Sequence, residues 1–291
     1  MKILITGALG KVGRATVTAA RRAGHDVVAS DQAPPSYGPA DPGEAPYVRA
    51  DLTDHGQTVA LVTQVGPDAV VHAAGIPEPF QDTEVTVFDT NVPMLFHVIE
   101  AVRSAGVPRL VWTSSETATG YLTGDPVLLP DYLPVDEDHP LRPREGYALS
   151  KVLGEHMLDA LVRRQDNPTS ITAVSIRPSL VTTAEMYDGF IKRTREADVE
   201  PSFNQWTFVD ADDLGDLMVR AATATTPGHE VVYAAQPDNL MGRPLADLVE
   251  QAYGSDAPPI RHLERPDAGA IDIGKARRLF GWEPRTGLAA R

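Results

Sequence analysis

The chain has 291 residues, enough for one large domain or two closely joined ones with a substantial core. Hydrophobic residues make up 42% and charged residues 23%, a balance that argues against a disordered or fibrous protein. The net charge of −14 would repel a nucleic-acid backbone, and the lack of cysteine excludes disulfides, a Cys-bound zinc site and a thiol nucleophile. A cytoplasmic protein that binds no nucleic acid is therefore expected.

Neither a metal site nor a membrane segment is predicted. The eight histidines are scattered, with no HxH or HExxH spacing that would bring two imidazoles to one metal ion. Gly7 and Gly10 interrupt the apolar N-terminal run too early for a signal-peptide core or a membrane span.

Strands and helices alternate almost from the first residue, with short apolar runs indicating buried strands and longer amphipathic segments indicating helices. The predicted strands are Lys2–Thr6, Asp26–Ser30, Ala45–Ala50, Asp68–His72, Arg109–Thr113 and Ser170–Arg177. The predicted helices are Lys11–Ala23, Asp54–Val65, Thr83–Ala105 and Ala148–Arg164. This order predicts an α/β protein with a doubly wound parallel sheet, which binds its ligand at the carboxyl ends of the strands.

The pattern loosens from about Pro178 onward, where Pro- and Gly-rich stretches separate shorter elements. These elements are the predicted helices Asp210–Thr223, Pro244–Tyr253 and Ile271–Phe280 and the predicted strand Glu230–Ala234. We predict a nucleotide-binding domain over 1–177 and a small α/β substrate cap over 178–291, with some cap segments returning to the first domain. A Pro- and Asp-rich loop insertion at 119–146 has the length typical of a functional lid or substrate loop.

The first strand runs into TGALGKVG, which places Gly7, Gly10 and Gly13 at a strand-to-helix turn. A pyrophosphate must approach the backbone there, where any Cβ would block it, and it is stabilised by the positive end of the helix. The turn therefore predicts a dinucleotide site.

The second strand leads to Asp31, twenty-four residues after Gly7. A carboxylate at this strand end can accept hydrogen bonds from the ribose hydroxyls of the adenosine, and it would repel the additional phosphate of NADP. No Arg or Lys follows at once to offset that repulsion, so NAD is the predicted cofactor.

Tyr147 and Lys151 form YALSK, and Ser115 ends the segment RLVWTSS. Residues four apart share a helix face, so the ammonium of Lys151 can lie near the phenol of Tyr147. Because a free tyrosine has a pKa of about 10, a neighbouring ammonium and a positive nicotinamide ring are expected to favour the phenolate. This pattern predicts Tyr147 as the acid/base residue, assisted by Lys151 and Ser115.

In these motifs, and in ADLTD, HAAG, Asn91, the RPS turn at Arg177–Ser179 and DIGKARRLFGWEP, the chain resembles the extended short-chain dehydrogenase/reductase family. The resemblance covers nearly the whole chain and implies a Rossmann-like domain with a Ser/Tyr/Lys catalytic set. The cofactor residues predicted on this basis are Gly7, Gly10, Lys11, Val12, Gly13, Asp31, Asp51, Leu52, Ala73, Ala74, Gly75, Asn91, Thr113, Tyr147, Lys151 and Pro178. The predicted substrate residues are Pro77, Ser115, Glu116, Thr117 and Ser179.

Departures from the family pattern narrow the reaction. Dehydratases of this family carry Asp-Glu where this chain has Glu116-Thr117, which disfavours dehydration. The segment PSLVTTAEM has neither the Asn nor the basic residue that is common in nucleotide-sugar epimerases, although Lys192, Arg193 and Arg195 could supply charge. QWTFVDADD is similar to uronate and small-sugar dehydrogenases, but a carboxylate at position 116 suits a substrate carboxylate poorly unless it is protonated.

The favoured prediction is oxidation of a hydroxyl on a neutral sugar, polyol or related small molecule. An epimerase that retains NAD is the alternative, and a non-catalytic dinucleotide sensor is the third reading. The family resemblance also implies a homodimer, built on the helix that begins near Thr83 and the helix that carries Tyr147, because both have more apolar residues than one sheet contact needs.

Overall fold

A seven-stranded parallel sheet forms the centre of the fold. The structure is a computed structural model, and it describes residues 1–34, 45–121, 128–164, 166–167, 170–202 and 204–285, without the side chain of Asp188. The strands lie in the order β3-β2-β1-β4-β5-β6-β9. They are β1 Lys2–Thr6, β2 Asp26–Asp31, β3 Tyr47–Arg49, β4 Ala69–His72, β5 Arg109–Thr113, β6 Thr172–Pro178 and β9 His229–Ala234, while β7 Val181–Thr182 and β8 Val209–Asp210 form a separate pair. The crossover direction reverses between β1 and β4, which is where such sheets bind ligands.

The strand register brings the carboxyl ends of the central strands to one edge. Thr6 of β1 lies opposite Ser30 of β2 and His72 of β4, and Thr113 of β5 lies opposite Ile176 of β6. Residues that follow these strands in sequence therefore lie along a single edge of the sheet.

Helices cover both faces of the sheet. They are α1 Lys11–Arg22, α2 His55–Val65, α3 Glu84–Ser104, α4 Gly146–Arg163, α5 Ala184–Met186, α6 Lys192–Glu196, α7 Ala211–Thr223, α8 Leu245–Tyr253 and α9 Gly274–Phe280. Side chains alternate across each strand, so Ile3 and Ile5 join the core with α1 and α7, whereas Leu4 joins the core with α2, α3 and α4. The predicted doubly wound parallel sheet is confirmed.

Most predicted elements begin and end within about two residues of the observed ones. The largest difference is at α9, which begins at Gly274 although the sequence predicts a helix from Ile271. Ile271 instead forms a β-bridge with Val135 and is buried. Tertiary pairing has overridden the local helical pattern at this point.

The chain after Pro178 provides elements of the first domain as well as of the cap. Strand β9 pairs along β6, and α7 packs on α1 so closely that a Cβ at Gly215 would lie 2.6 Å from the backbone of Ala15. Near the end of the described chain, buried Trp282 donates its indole N–H to the Asp213 carbonyl at 2.9 Å. These segments complete one face of the main sheet.

In its described part, residues 128–145, the loop insertion does not act as a lid. Leu133 and Val135 are fully buried, and they form bridges to Ile260 and Ile271. None of these described residues lines either of the two cavities discussed below, so the prediction of a substrate loop is wrong for this part. Through these buried contacts residues 128–145, here called the strap, connect the first domain to the C-terminal segments. Residues 122–127 lie outside the described residues.

Helix α3 is the one described helix that is long and apolar enough to cross a membrane on length and composition alone. It packs against α2 and α4, and it buries Leu95, Val98 and Val102 in the core. This packing accounts for the apolar residues that α3 buries, whereas Val85 and Phe96 on the same helix are exposed.

Candidate active site

The glycine turn after β1 leaves its backbone open to a ligand. Gly7 has a φ of +69°, and a Cβ there would lie 2.5 Å from the amide nitrogen of Ala74, so only glycine fits. A Cβ at Gly13 would lie 2.0 Å from the carbonyl oxygen of Gly7, so this glycine allows helix α1 to pack onto the turn. Gly10, between them, lines both cavities.

Helix α1 begins at this turn without a side-chain cap. Gly10 occupies the capping position, and the first turn of the helix has no acidic residue. By contrast, Asp54, Thr83 and Glu145 accept hydrogen bonds from the first backbone N–H groups of α2, α3 and α4. The uncapped N-terminus of α1 therefore fits the pyrophosphate of a dinucleotide.

A cavity of about 240 Å³ extends from this turn toward the ends of β2 and β3. Asp31 is half-buried at its edge, where its carboxylate accepts hydrogen bonds from the Leu9 N–H at 3.1 Å and the Ala33 N–H at 3.3 Å. The predicted residues Gly7, Gly10, Asp31, Asp51, Leu52, Ala73, Ala74 and Gly75 line it. Its shape and lining suit an adenosine with its ribose beside Asp31.

Asn91 lies behind this wall, outside the residues that line either cavity. Its side chain accepts a hydrogen bond from the Ile76 N–H at 2.8 Å and donates one to the Ile76 carbonyl at 3.0 Å. Both ends of the amide are used by the backbone, so the geometry favours a role in holding the Gly75–Ile76 turn. Gly13 likewise lies behind the lining.

A second cavity of about 720 Å³ continues from the first, since both share Gly10 and the wall from Ala73 to Pro77. This volume is typical of a small-molecule site. The predicted residues Lys11, Val12, Pro77, Thr113, Ser115, Glu116, Thr117, Tyr147, Lys151, Pro178 and Ser179 line it. The structure thus brings the nucleotide motif and the YALSK motif to one continuous trough.

Ser115, Tyr147 and Lys151 lie together on one wall, and all three are buried. The Ser115 hydroxyl forms a hydrogen bond with the Tyr147 phenol and accepts two more, from the Thr117 N–H at 3.2 Å and the Thr117 hydroxyl at 2.9 Å. The Lys151 ammonium donates to the Thr113 carbonyl at 2.8 Å and lies 5.3 Å from the centre of the Tyr147 ring. A serine hydroxyl, a phenol and an ammonium placed in this way can move a proton to or from a substrate oxygen.

Burial and neighbouring groups act together on the pKa of Tyr147. Burial raises the pKa of Tyr147 well above its usual value, and the carboxyl groups of Glu145, Glu78 and Glu116 raise it further, whereas the hydrogen bond with Ser115 lowers it. Burial is the largest of these contributions in this structure. In this state Tyr147 is a protonated phenol at neutral pH. The phenolate that Lys151 and a positive nicotinamide ring together are expected to favour stays a prediction.

Burial lowers the pKa of Lys151 to about 8, while the nearby Glu155 carboxylate acts in the opposite direction. His72, predicted to be a core residue at the end of its strand, is 1% exposed, and its Nδ1 lies 2.8 Å from the Thr6 hydroxyl. Burial and the charge of Lys151 lower the pKa of His72 to about 3, so it is neutral beside the site.

Glu116 is an unusual residue in this cavity because it is 5% exposed and its carboxyl has no cationic hydrogen-bond partner in the described structure. The Thr207 hydroxyl donates to its Oε2 at 3.2 Å, and the Leu180 N–H adds a second hydrogen bond. Burial raises the pKa of Glu116 well above its usual value. Nearby, the Ser179 hydroxyl is buried and has no partner among the described residues.

Several lining residues were missed by sequence reasoning. They are Gln32, Ala50, Thr53, Ile76, Gln81, Thr90 and Met94 at the nucleotide end, and Glu78, Pro79, Phe80, Ser114, Leu180 and Val181 at the other. Leu180 and Val181 follow the RPS turn directly, so their position was a usable signal. Most of the others likewise adjoin predicted site residues in the sequence, whereas Pro79, Phe80, Gln81 and Met94 lie outside the motifs that carried the prediction.

The trough defines a class of protein, namely a dinucleotide-dependent α/β enzyme. Among the described residues, no group of three or more His, Asp and Glu side chains could hold a metal ion. The bare glycine turn, the uncapped helix and the small wall at Ala73–Gly75 fit a dinucleotide.

Comparison with known proteins identifies the family. The model of the NAD dependent epimerase/dehydratase family matches residues 3–234, so the chain belongs to this family, within the extended short-chain dehydrogenases/reductases, and its cofactor is NAD. A UDP-glucose 4-epimerase of Mycolicibacterium smegmatis is 28% identical, over 99% of this chain and 95% of its own. A uronate dehydrogenase of Pseudomonas syringae is 29% identical, over 82% of this chain and 76% of its own.

Solved structures show the same fold. A UDP-glucose 4-epimerase of Thermotoga maritima with UDP-glucose superposes with a TM-score of 0.72 at 19% identity, over 99% of this chain and 95% of that one. MoeE5 in complex with UDP-glucose and NAD gives a TM-score of 0.70 at 24% identity, over 100% of this chain and 95% of that one. The predictions of family, Rossmann-like fold and NAD are confirmed, and the choice between dehydrogenase and epimerase is left open by these relatives.

Proposed function

We propose that this protein is an NAD-dependent dehydrogenase that oxidises a hydroxyl of a small neutral sugar or polyol-like substrate. The observation that carries the proposal is the hydrogen bond between Ser115 and Tyr147 on the wall of the larger cavity, with Lys151 beside them. NAD, when bound, supplies the acceptor for hydride. The proton transfer and the binding of the reacting oxygen are assigned to Ser115, Tyr147 and Lys151.

Tyr147 is the proposed acid/base residue. With NAD bound, the positive nicotinamide ring and the Lys151 ammonium would favour the phenolate of Tyr147, and that oxygen would take the proton of the substrate hydroxyl. In the reverse direction the protonated phenol would give a proton to the carbonyl oxygen. Ser115 would hold that same oxygen, since its hydroxyl already bonds the Tyr147 phenol. Lys151 would bind the ribose next to the reactive ring and stabilise negative charge on Tyr147.

The charge of the cavity favours a neutral substrate. Its described lining has the cations Lys11 and Lys151, which lie at the cofactor end in this proposal, and the carboxyl groups of Glu78 and Glu116. A substrate carboxylate near Glu116 would lack a positive partner, which makes a sugar acid a poorer substrate. By contrast, the carboxyl of Glu116, whose pKa is raised by burial, and the unpartnered Ser179 hydroxyl can exchange hydrogen bonds with substrate hydroxyls.

The alternative is a nucleotide-sugar epimerase, and the full-length similarity to UDP-glucose 4-epimerases favours it. Such a substrate carries a diphosphate, for which basic residues are the usual partners. Lys192, Arg193 and Arg195, which could supply that charge, are on α6 and do not line either cavity, and Arg195 donates to the Leu240 carbonyl at 3.1 Å. This position makes the epimerase the second choice.

One experiment separates the candidates. The protein is mixed with NAD and each of D-galactose, D-glucose, myo-inositol, D-glucuronate and UDP-glucose, and both NADH and the sugar products are measured. A dehydrogenase gives NADH in proportion to an oxidised product, and we expect this with a neutral sugar or polyol. Conversion of UDP-glucose to an epimer without net NADH would overturn the proposal in favour of the epimerase.

A further inference from the structure

A buried cluster of polar side chains lies behind the proposed catalytic wall. Its centre is Glu155, one helical turn after Lys151 on α4 and 5% exposed. The Oε1 atom of Glu155 accepts hydrogen bonds from the Ser114 hydroxyl at 2.7 Å and from Arg177 Nε at 2.8 Å, and its Oε2 accepts one from Arg177 Nη2 at 2.7 Å. A two-point ion pair and a hydroxyl therefore fix this carboxylate.

Each partner of Glu155 is the chain neighbour of a residue in the substrate cavity. Ser114 precedes Ser115 after β5, and Arg177 precedes Pro178 at the end of β6. Since α4 carries both Glu155 and the YALSK motif, this one carboxylate links three of the elements that form the site. Displacing it would move all three relative to one another.

The cluster extends beyond these elements through Arg177. Its Nη1 donates to the Tyr233 hydroxyl at 3.3 Å, its guanidinium lies 5.2 Å from the centre of the Tyr233 ring, and the Tyr233 N–H donates to Glu137 at 2.9 Å. A buried ion pair contributes little net stability, because the loss of hydration offsets much of its attraction. We therefore explain the ion pair by the residues that it positions rather than by a contribution to stability.

The charge of Glu155 acts on Lys151, which lies one helical turn before it on α4. The groups that face its ammonium are Tyr147 and Glu155 from α4, His72 from β4, and the Thr113 carbonyl from β5. His72 is neutral, and Tyr147 is protonated at neutral pH. Glu155 is therefore the facing group whose charge favours the ammonium.

We propose that Glu155, fixed by Arg177 and Ser114, is a positioning residue that keeps Lys151 charged and in place beside Tyr147. The inference rests on the proposed function, because it assigns a support to the same Ser115, Tyr147 and Lys151 set. It adds a residue that touches neither cavity.

The test is an NMR titration of the lysine side chains, which needs no substrate and no cofactor. The chain has only four other lysines, Lys2, Lys11, Lys192 and Lys275, so a sample labelled with ¹³C at lysine Cε gives few signals, and Lys151→Met assigns the one of interest. In the wild type we expect Lys151 to titrate near its pKa of about 8. In Glu155→Gln we expect that midpoint to fall by about one pH unit, the smaller end of the effect of one nearby opposite charge.

Two variants separate positioning from stability. Arg177→Lys keeps a positive charge beside Glu155 but loses the two-point contact, so it should unfold at lower urea and change the Lys151 midpoint less than Glu155→Gln does. Asp159→Asn removes a carboxylate one turn further along α4, where it bonds His229 at 2.8 Å, and it should leave Lys151 unchanged. A merely structural Glu155 would make Glu155→Gln behave like Arg177→Lys.

A wild-type Lys151 midpoint in folded Glu155→Gln would overturn the proposal. Should that variant not fold, Glu155→Gln/Arg177→Met removes both charges together, and the Lys151 midpoint should still lie below the wild-type value; an unchanged midpoint there overturns the proposal equally. Failure of the proposed function would instead be seen as normal turnover by Tyr147→Phe, a separate measurement.

Discussion

The two ends of the trough are built in different ways. Around the glycine turn the nucleotide end is formed by backbone and very small residues, as at Gly7, Gly10 and Ala73–Gly75, and Asp31 and Asp51 are the acidic residues in its lining. The substrate end is formed by larger side chains from four separate stretches of the chain, including Glu116, Tyr147 and Ser179. A site that binds its ligand through the backbone requires glycine or other small residues at fixed positions. A site that binds its ligand through side chains can change its specificity by single substitutions.

The largest expected effect is at the substrate end. Tyr147→Phe removes the proposed acid/base oxygen, so turnover should fall roughly a hundredfold or more, while NADH affinity stays nearly unchanged. Steady-state kinetics on the substrate found in the panel and NADH fluorescence titration measure the two. Tyr132→Phe is the control, because its hydroxyl bonds Asp136 outside the cavities. Near-normal turnover by Tyr147→Phe would contradict the mechanism.

The next effect is at the nucleotide end. Asp31→Ala removes the carboxylate that would repel the phosphate of NADP, so the preference for NADH over NADPH should relax by about tenfold or more, equivalent to about 1.4 kcal/mol. Fluorescence titration with both reduced cofactors gives the ratio. Equal affinity of the wild-type protein for NADH and NADPH would show that Asp31 does not select the cofactor.

A third prediction concerns Glu116 and pH. Because burial raises the pKa of Glu116, the folded protein keeps this proton above pH 4.5 while the unfolded chain loses it, so the stability of the wild type falls as pH rises from that value toward the raised pKa. Glu116→Gln does not titrate. It should be more stable than the wild type at pH 7.5, by on the order of 1 kcal/mol or more, and closely similar to it at pH 4.5.

Urea unfolding at the two pH values measures this difference. Glu78→Gln is the matched control, because Glu78 lines the same cavity but is exposed to solvent, and its urea midpoint should not change. Equal stability of Glu116→Gln and the wild type at pH 7.5 would mean that the carboxyl of Glu116 is ionised and paired.

The smallest effect on the chemistry is expected at the proposed dimer interface. Val85 and Phe96 on α3 and Leu149 on α4 are apolar and 69%, 50% and 40% exposed, on the two helices that were predicted to form a homodimer. Phe96→Glu places a charge in that surface and should convert a micromolar dimer to a monomer, with turnover changed less than about twofold. Light scattering measures the mass, with Leu279→Glu as the control; a wild-type monomer would contradict the prediction.

Sequence reasoning predicted the nucleotide end well because each requirement has a residue type of its own. Only glycine tolerates the contacts at Gly7 and Gly13, and a short apolar run followed by this turn fixes the first strand and helix. The regular alternation of strands and helices then predicted a doubly wound parallel sheet, although not the order of its strands. Asn91 shows the limit, since the motif indicated a residue of the site, but only the structure shows that it bonds Ile76.

The substrate end could be predicted only in part. Ser115, Tyr147 and Lys151 have recognisable spacing, but the contact of Glu116 with Thr207 joins residues 91 positions apart, and no local pattern reports it. The raised pKa of Tyr147 was also out of reach, because burial, which determines it, is a property of the folded protein. The strap at 128–145 was mistaken for a lid for the same reason, as its burial depends on Ile260 and Ile271.

The contact between α7 and α1 at Gly215 limits how this protein can be divided into exchangeable modules. A gene fragment that stops at residue 177 would lack β9, which pairs with β6, and α7, which covers one face of the sheet. The apolar residues of β6 and β1 on that side would then face water, so the fragment would aggregate rather than fold. Chimeras that exchange substrate specificity must therefore keep α7 and β9 together with the sheet that they complete, and change only residues that line the substrate cavity, such as 179–181.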